Sequence, residues 1–198
     1  MKFEEEFITL VKELFPSIDP YIAANVKNSV QQFYKDGKTF SCYNASALKG
    51  ITQGDIISNV TFAIIDSEGE IATYRTAGLV LSNSCDIEND DYILLAPFEP
   101  INQLGFDQSQ INELKMNTLY GYIYFPDVSE EQVAVNLSRI CALPKKIIRN
   151  SLKNKTMEIK HSLNLVGFYL LLCKLTIHFM RPEDTDLQNE REHLVYSY

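Results

Sequence analysis

The chain has no Cys-x-x-Cys pair, no apolar run long enough to span a bilayer, no excess of positive charge, and none of the short motifs that announce the commonest enzyme chemistries. Each absence excludes something. Cys42, Cys85, Cys141 and Cys173 stand 43, 56 and 32 residues apart, and the opening MKFEEEF is acidic where a secretory leader is basic and then apolar. That pattern predicts free thiols in a reducing cytosol, a cytoplasmic setting, and not a disulfide framework. The most apolar stretch, Leu163 to Met180, contains Lys174 and His178, and its longest uncharged run is 11 residues. This is too short to cross a membrane, so it predicts a core helix. There is no GxxxxGK[ST] loop, no GxGxxG after a strand, no HExxH and no GxSxG. Nucleotide hydrolysis, dinucleotide chemistry, zinc proteolysis and serine hydrolysis therefore lack a signature. A net charge of -8 and a pI near 4.9 exclude a protein whose whole surface holds nucleic acid, and no DNA partner is expected.

What is present is an ordinary globular composition, 45% apolar and 22% charged, over 198 residues. The expected organisation is one domain in three packed parts: a helical segment over 1–50, a barrel over 51–150 and a helical segment over 151–198. Phe3, Phe7, Leu10, Val11, Leu14 and Phe15 recur at helical spacing, and Pro16 ends that helix. Ser17, Asp19 and Pro20 start a second helix that runs to about Asp36 and stops at Gly37. From Asp55 the period becomes extended: Val60, Phe62 and Ile64 alternate with Asn59, Thr61 and Ala63, and Ser67-Glu68-Gly69 supplies a turn. Gly78 to Leu81, Tyr92 to Ala96, Leu119 to Phe125 and Gln132 to Leu143 add four strands. Asp107 with Gln110 marks a capped helix between them, and Ser162 to Phe179 forms the last helix. Short strands without helices between most of them predict an α+β fold: a small antiparallel barrel, an N-terminal helical hairpin and a long apolar C-terminal helix. That last helix is apolar around nearly its whole circumference, which predicts burial or a shared interface, hence a homo-oligomer or a protein partner through 163–180.

Several groups of residues could carry chemistry. Arg75, at the mouth of the run Gly78-Leu79-Val80-Leu81, suits a phosphate or carboxylate held through two hydrogen bonds; the alternative is a surface arginine paired with Glu68 or Glu70. Ser82, Asn83, Ser84, Cys85 and Asp86 cluster in one loop between apolar strands. Cys85 beside Asp86 could be a nucleophile, but His161, His178 and His193 are all distant in sequence, and a packing cysteine is the plainer reading. Asp86, Glu88, Asp90 and Asp91 lack the glycine and the twelfth-position glutamate of a calcium loop, which leaves a solvated hairpin tip or, as the alternative, a divalent-metal site completed by carboxylates from elsewhere; the expectation is no metal and no cofactor. Lys145, Lys146 and Arg149 head a basic segment that faces a single acidic residue, Glu158, and form either an anion-binding or RNA-binding face or a solvated helix face. Tyr120, Tyr122 and Tyr124 alternate along a strand, where they stack bases or line a half-buried sheet.

With these residues named, the stretch from Gly54 to about Arg149 resembles the PemK/MazF-like toxin family of small SH3-like barrels. The likeness lies in Gly54-Asp55 opening a strand, in Arg75 before Leu79-Val80-Leu81-Ser82-Asn83, in Ala96-Pro97 ending the next strand, and in Val133-Ala134-Val135-Asn136-Leu137-Ser138-Arg139. The resemblance implies a metal-independent endoribonuclease of a bacterial or phage toxin-antitoxin or defence system, with Arg75 at its site. The family's hydroxyl does not carry over, because Phe98-Glu99-Pro100 follows Pro97, and Thr76-Ala77 stands where the family has proline after the arginine. In that scheme Arg75 stabilises the phosphorane, and Ser82, Ser84 or Asp86 replaces the missing acid or base. Two other readings compete: a non-catalytic interaction module of a larger complex, and a cysteine-dependent enzyme centred on Cys85.

Overall fold

A computed structural model describes residues 41–126, 128 and 131–180. The two helices expected over residues 3–15 and 17–36 lie outside the described residues. Seven strands and four helices follow in the order β1 (Asp55–Ile65), β2 (Ile71–Val80), α1 (Ser84–Asn89), β3 (Tyr92–Pro100), α2 (Gln108–Lys115), β4 (Tyr122–Ile123), β5 (Val133–Asn136), β6 (Cys141–Pro144), α3 (Lys145–Lys153), β7 (Ile159–Ser162) and α4 (Leu165–Met180). No described helix is long and apolar enough to cross a membrane.

The strands form one antiparallel sheet in the order β4-β5-β3-β2-β1-β7, with β6 paired to the remaining length of β3. The fold is α+β as expected, but the sheet does not close into a barrel. The reason lies in its side chains. Neighbours along a strand point to opposite faces, and here both faces are buried. Ile56, Leu79 and Ala96 enter one apolar cluster with Leu163 and Leu171, while Ile57, Val80 and Leu95 enter a second with Ile87 of α1 and Ile148 of α3. A closed barrel fills one interior; this sheet has α4 on one side and α1 with α3 on the other.

Local chemistry explains the bends. In β1 the register shifts between Ile57 and Val60, and Asn59 sits at φ 59°, a left-handed conformation that asparagine tolerates. Its amide Nδ2 donates to the Thr156 carbonyl at 2.8 Å. Beyond the bulge Val60 and Phe62 are buried while Thr61 and Ala63 are exposed, the alternation read from sequence. The capping box of α2 is present: Asp107 Oδ1 accepts from Gln110 N and Gln110 Oε1 accepts from Asp107 N. The segment expected as one strand from Gln132 to Leu143 is split into β5 and β6 by a 3-10 turn, Leu137–Arg139, in which Asn136 Oδ1 accepts from Ser138 N. Two elements were not anticipated, the short helix α1 and the strand β7. Consequently Ser162 lies in β7, and α4 begins at Leu165 with Asn164 Oδ1 accepting from Val166 N and Gly167 N.

Two close approaches fix the chain around the start of α4. Gly54 has φ +88°, and a Cβ there would stand 2.9 Å from Leu163 Cδ1. Next to it, Asp55 is fully buried; its carboxylate accepts from Thr52 N at 2.7 Å and from the Thr52 and Ser162 hydroxyls. Burial raises the Asp55 pKa above the usual carboxylate value, and these hydrogen bonds offset part of the rise. At Gly167 a Cβ would stand 2.4 Å from the Cys42 carbonyl oxygen, so the chain at 41–44 crosses α4 where only glycine leaves room.

Candidate functional site

β2 and β3 stay paired only from Val80↔Leu95 to Gly78↔Pro97. Beyond that pair, β2 continues with β1 alone, while β3 continues beside β5 through Phe98, Glu99 and Pro100. Pro97 and Pro100 have no N–H to give a neighbouring strand, which favours the parting. Thr76 Oγ1 donates to the Phe98 carbonyl at 2.8 Å and pins the apex. The divergence leaves a cleft of about 670 Å³ between the β1–β2 arm and the β3–β5 side of the sheet.

Glu99 sits at the floor of this cleft and is only 8% exposed. A buried carboxylate needs partners, and it has two. Asn136 Nδ2 donates to Oε2 at 2.8 Å, and Arg139 Nη1 donates to Oε1 at 2.8 Å. Asn136 is itself oriented, because its Oδ1 accepts from Ser138 N. The Tyr74 hydroxyl also acts on the Arg139 guanidinium and favours its charged form. Burial works against the arginine's charge, but Glu99 and Tyr74 outweigh it and hold the guanidinium more firmly protonated. Burial pushes the Tyr74 and Tyr122 hydroxyls up, helped by the negative charge of Glu99 and opposed by Arg139. Arg75 lines the same cleft from β2, with its residue exposed at the rim. The result is a fixed carboxylate, two guanidinium groups and two phenol rings around an open groove. Such a set can bind a phosphodiester through Arg75 and Arg139 and present a carboxylate oxygen to an adjacent hydroxyl.

Of the residues singled out from sequence, Arg75 and Tyr122 line the cleft, and Ser82, Ser84, Cys85 and Asp86 do not. They lie past the far end of β2; the five residue steps from Arg75 to Val80 already span roughly 17 Å of strand. Their loop turns directly into α1. Asn83 Oδ1 accepts from Cys85 N to cap that helix, Ser82 Oγ accepts from Leu94 N at 2.9 Å, and Ser84 Oγ accepts from Gln53 N at 3.0 Å. Asp86 and Cys85 are exposed on the helix surface, and no disulfide joins the four cysteines. Lys145 caps the other end of α1, its Nζ donating to the carbonyls of Ile87 and Glu88. Lys146 and Arg149 border a separate hollow with Asp91 and Tyr92, and Arg149 also borders one that contains Ser84 and Glu88. The basic helix and the Ser84 loop are thus neighbours, on the opposite side of the sheet from α4. Among the described residues no group of three or more His, Cys, Asp or Glu side chains gathers as a metal site would require.

Glu99, Asn136, Arg139 and Tyr74 were not singled out as site residues. One signal was available: a glutamate inside the apolar strand YILLAPFEP is out of place unless it is paired, and Asn136-Leu137-Ser138-Arg139 follows the apolar run Val133-Ala134-Val135. No model of a known protein family matches the chain, and no curated protein matches it.

Proposed function

We propose that the cleft between β2 and β3 binds single-stranded RNA and cleaves it without a metal ion. The observation that carries this reading is Glu99, buried at the cleft floor and fixed by Asn136 and Arg139, with Arg75 at the rim. In the proposed reaction Glu99 takes the proton of a ribose 2′-hydroxyl as that oxygen attacks the neighbouring phosphorus. The bond from phosphorus to the 5′-oxygen breaks, a water at the open mouth supplies the proton to the leaving oxygen, and a 2′,3′-cyclic phosphate remains. Arg139 and Arg75 balance the charge that builds on the phosphoryl oxygens. Tyr74 and Tyr122 offer ring faces for adjacent bases. The general base is thus assigned to Glu99, in place of Ser82, Ser84 or Asp86.

The finer likeness to PemK/MazF-like toxins, an SH3-like framework in a cytoplasmic toxin-antitoxin or defence system, belongs to the same proposal. Its support is that Gly54-Asp55 opens β1, that Arg75 lines the cleft, and that the Val133–Arg139 motif supplies Asn136 and Arg139. A second reading, a non-catalytic interaction module, is favoured by the exposed apolar residues of α4.

The deciding assay incubates the parent protein with a long mixed-sequence RNA in the presence of a chelator. The parent is expected to cleave, and Glu99→Gln to lose about 10²–10⁴ in rate while retaining its circular dichroism spectrum. Arg75→Ala should weaken both binding and rate. A parent that neither binds nor cleaves RNA, or a folded Glu99→Gln protein of undiminished activity, removes the ribonuclease reading.

A further inference from the structure

We infer that the exposed face of α3 is a second RNA contact, which holds the sugar-phosphate backbone of the strand several nucleotides away from the cleft. The inference rests on the ribonuclease reading for what the strand is, and on α3 for where it lies. Ile148 and Leu152 of this helix pack into the cluster on its side of the sheet, while Lys146, Arg149 and Lys153 stand exposed at spacings of three and four residues. Two hollows meet at Arg149. One, of about 410 Å³, is lined by Lys145, Lys146, Arg149 and Asn150 together with Asp91 and Tyr92. The other, of about 370 Å³, brings in Lys49, Ser84 and Glu88.

The charge of this face is not balanced locally. α3 holds four basic residues and no acidic one. Lys145 with Arg149, and Arg149 with Lys153, are like charges one turn apart, which weaken a helix. Lys145 and Lys146 also stand in the first turn, where the helix dipole disfavours positive charge. The Lys145 ammonium is taken up by the Ile87 and Glu88 carbonyls. Among the described residues Lys146, Arg149 and Lys153 form no ion pair, although Asp91 and Glu88 border the same hollows. A helix face meant only for water ordinarily mixes both signs and gains from the pairs. A polyanion laid along α3 relieves both unfavourable terms.

RNA is the polyanion this face favours. Tyr92 is 57% exposed in the hollow of Lys146 and Arg149, a ring on which a base can stack while the cations hold phosphates. The position suits the cleft as well. Glu99 and Tyr92 stand near opposite ends of β3, roughly 23 Å apart along the strand. That separation is within reach of the about 4–16 nucleotides that a small single-strand-binding domain ordinarily holds. β6 joins the two places, since it begins two residues after Arg139 and runs directly into Lys145. The first and last described residues, Ser41 and Met180, lie at α4, on the other side of the sheet from α3.

Fluorescence anisotropy with 2′-O-methyl RNAs of mixed sequence, about 4 and about 16 nucleotides long, tests this. The blocked hydroxyl cannot attack, so the strands stay whole. The parent is expected to bind the longer strand at least about 10-fold more tightly than the shorter. Lys146→Ala combined with Arg149→Ala is expected to lose that gain and to flatten the slope of log affinity against log salt by about 0.7 for each phosphate contact removed. The double variant should still cleave the short unmodified RNA at the parent's rate and melt no earlier than the parent. A parent that cleaves RNA while the double variant matches it on the long strand overturns the inference and leaves the cleft reading standing. A parent that binds the long strand through α3 but cleaves no RNA removes the ribonuclease reading and leaves α3 as an RNA-binding face. A parent that binds neither strand overturns both. Polyglutamate that displaces the long strand as well as unlabelled RNA does marks a face for acidic protein, and also overturns the inference.

Discussion

Lys174 has an ammonium group 57 and 55 residues in sequence from the carbonyls it serves, and it lies in the interior between α4 and the turn before β4. Burial lowers its pKa to about 8 from the ordinary lysine value of 10.5. Between those two values the unfolded chain holds this proton and the folded chain does not, so Lys174 makes stability rise with pH across that window. Cys173, pushed up to about 12 by burial, and Tyr169, also raised by burial, act in the opposite sense, because the fold keeps protons that the unfolded chain loses. Comparison with a Lys174→Met variant isolates the lysine. The unfolding free energy of the parent relative to the variant is expected to grow by roughly 3 kcal/mol between pH 8 and 10.5. Denaturant titrations at several pH values measure it, and parallel pH profiles for the two proteins would contradict the assignment. Glu99 illustrates the other way to bury a charge: it has Arg139 and Asn136 beside it, where Lys174, among the described residues, has the Asn117 and Leu119 carbonyl oxygens.

Among the elements, α4 depends on a single small residue. Its first turn is capped by Asn164, whose Nδ2 also donates to the Ser41 carbonyl at 2.7 Å, and the segment 41–44 then crosses at Gly167. A methyl group at Gly167 meets a backbone oxygen, which cannot rotate away as a side chain can. Gly167→Ala is therefore expected to destabilise the fold by about 2 kcal/mol or more, although alanine is the better helix former by about 1 kcal/mol. Thermal melts of the two proteins decide it; an equal or higher melting temperature for the variant would show that the crossing is not tight. The arm formed by β1 and β2 contrasts with α4. Beyond Gly78 these strands pair with each other alone among the described strands, and the hairpin ends in exposed Ile65 and Ile71. That arm forms one wall of the cleft.

For the whole molecule, the two apolar clusters share the same strands while facing opposite ways. Leu171 of α4 and Ile148 of α3 are both fully buried, one on each face of the sheet. Leu171→Ala and Ile148→Ala are each expected to cost about 2–5 kcal/mol. Because β1, β2 and β3 contribute to both clusters, neither face can unfold alone. One cooperative transition is expected in both variants, and their effects should add in the double variant, since the sites share no partner. Two separated transitions by calorimetry would mean that the faces are independent.

Local patterns in the sequence determined a good part of this protein. The period of β1 is visible in Val60, Phe62 and Ile64, the start of α2 in Asp107 and Gln110, and the apolar α4 in its uncharged run, because each is a property of neighbours along the chain. The α+β class follows from those elements. The tertiary structure alone decided that the sheet stays open, since two covers require two buried faces and no strand announces which helix will lie on it. It also decided the cleft. Glu99 and Arg139 are 40 residues apart and meet because β3 pairs with β5 and the 3-10 turn carries the arginine back over the strand. Ser82, Ser84, Cys85 and Asp86 form the denser polar cluster in sequence, yet the Ser82 and Ser84 hydroxyls join loops, the Cys85 amide is taken up in capping α1, and Asp86 stands exposed on that helix. Adjacency along the chain reports local hydrogen bonding, whereas a binding cleft is made where strands part, and strand pairing is a long-range choice.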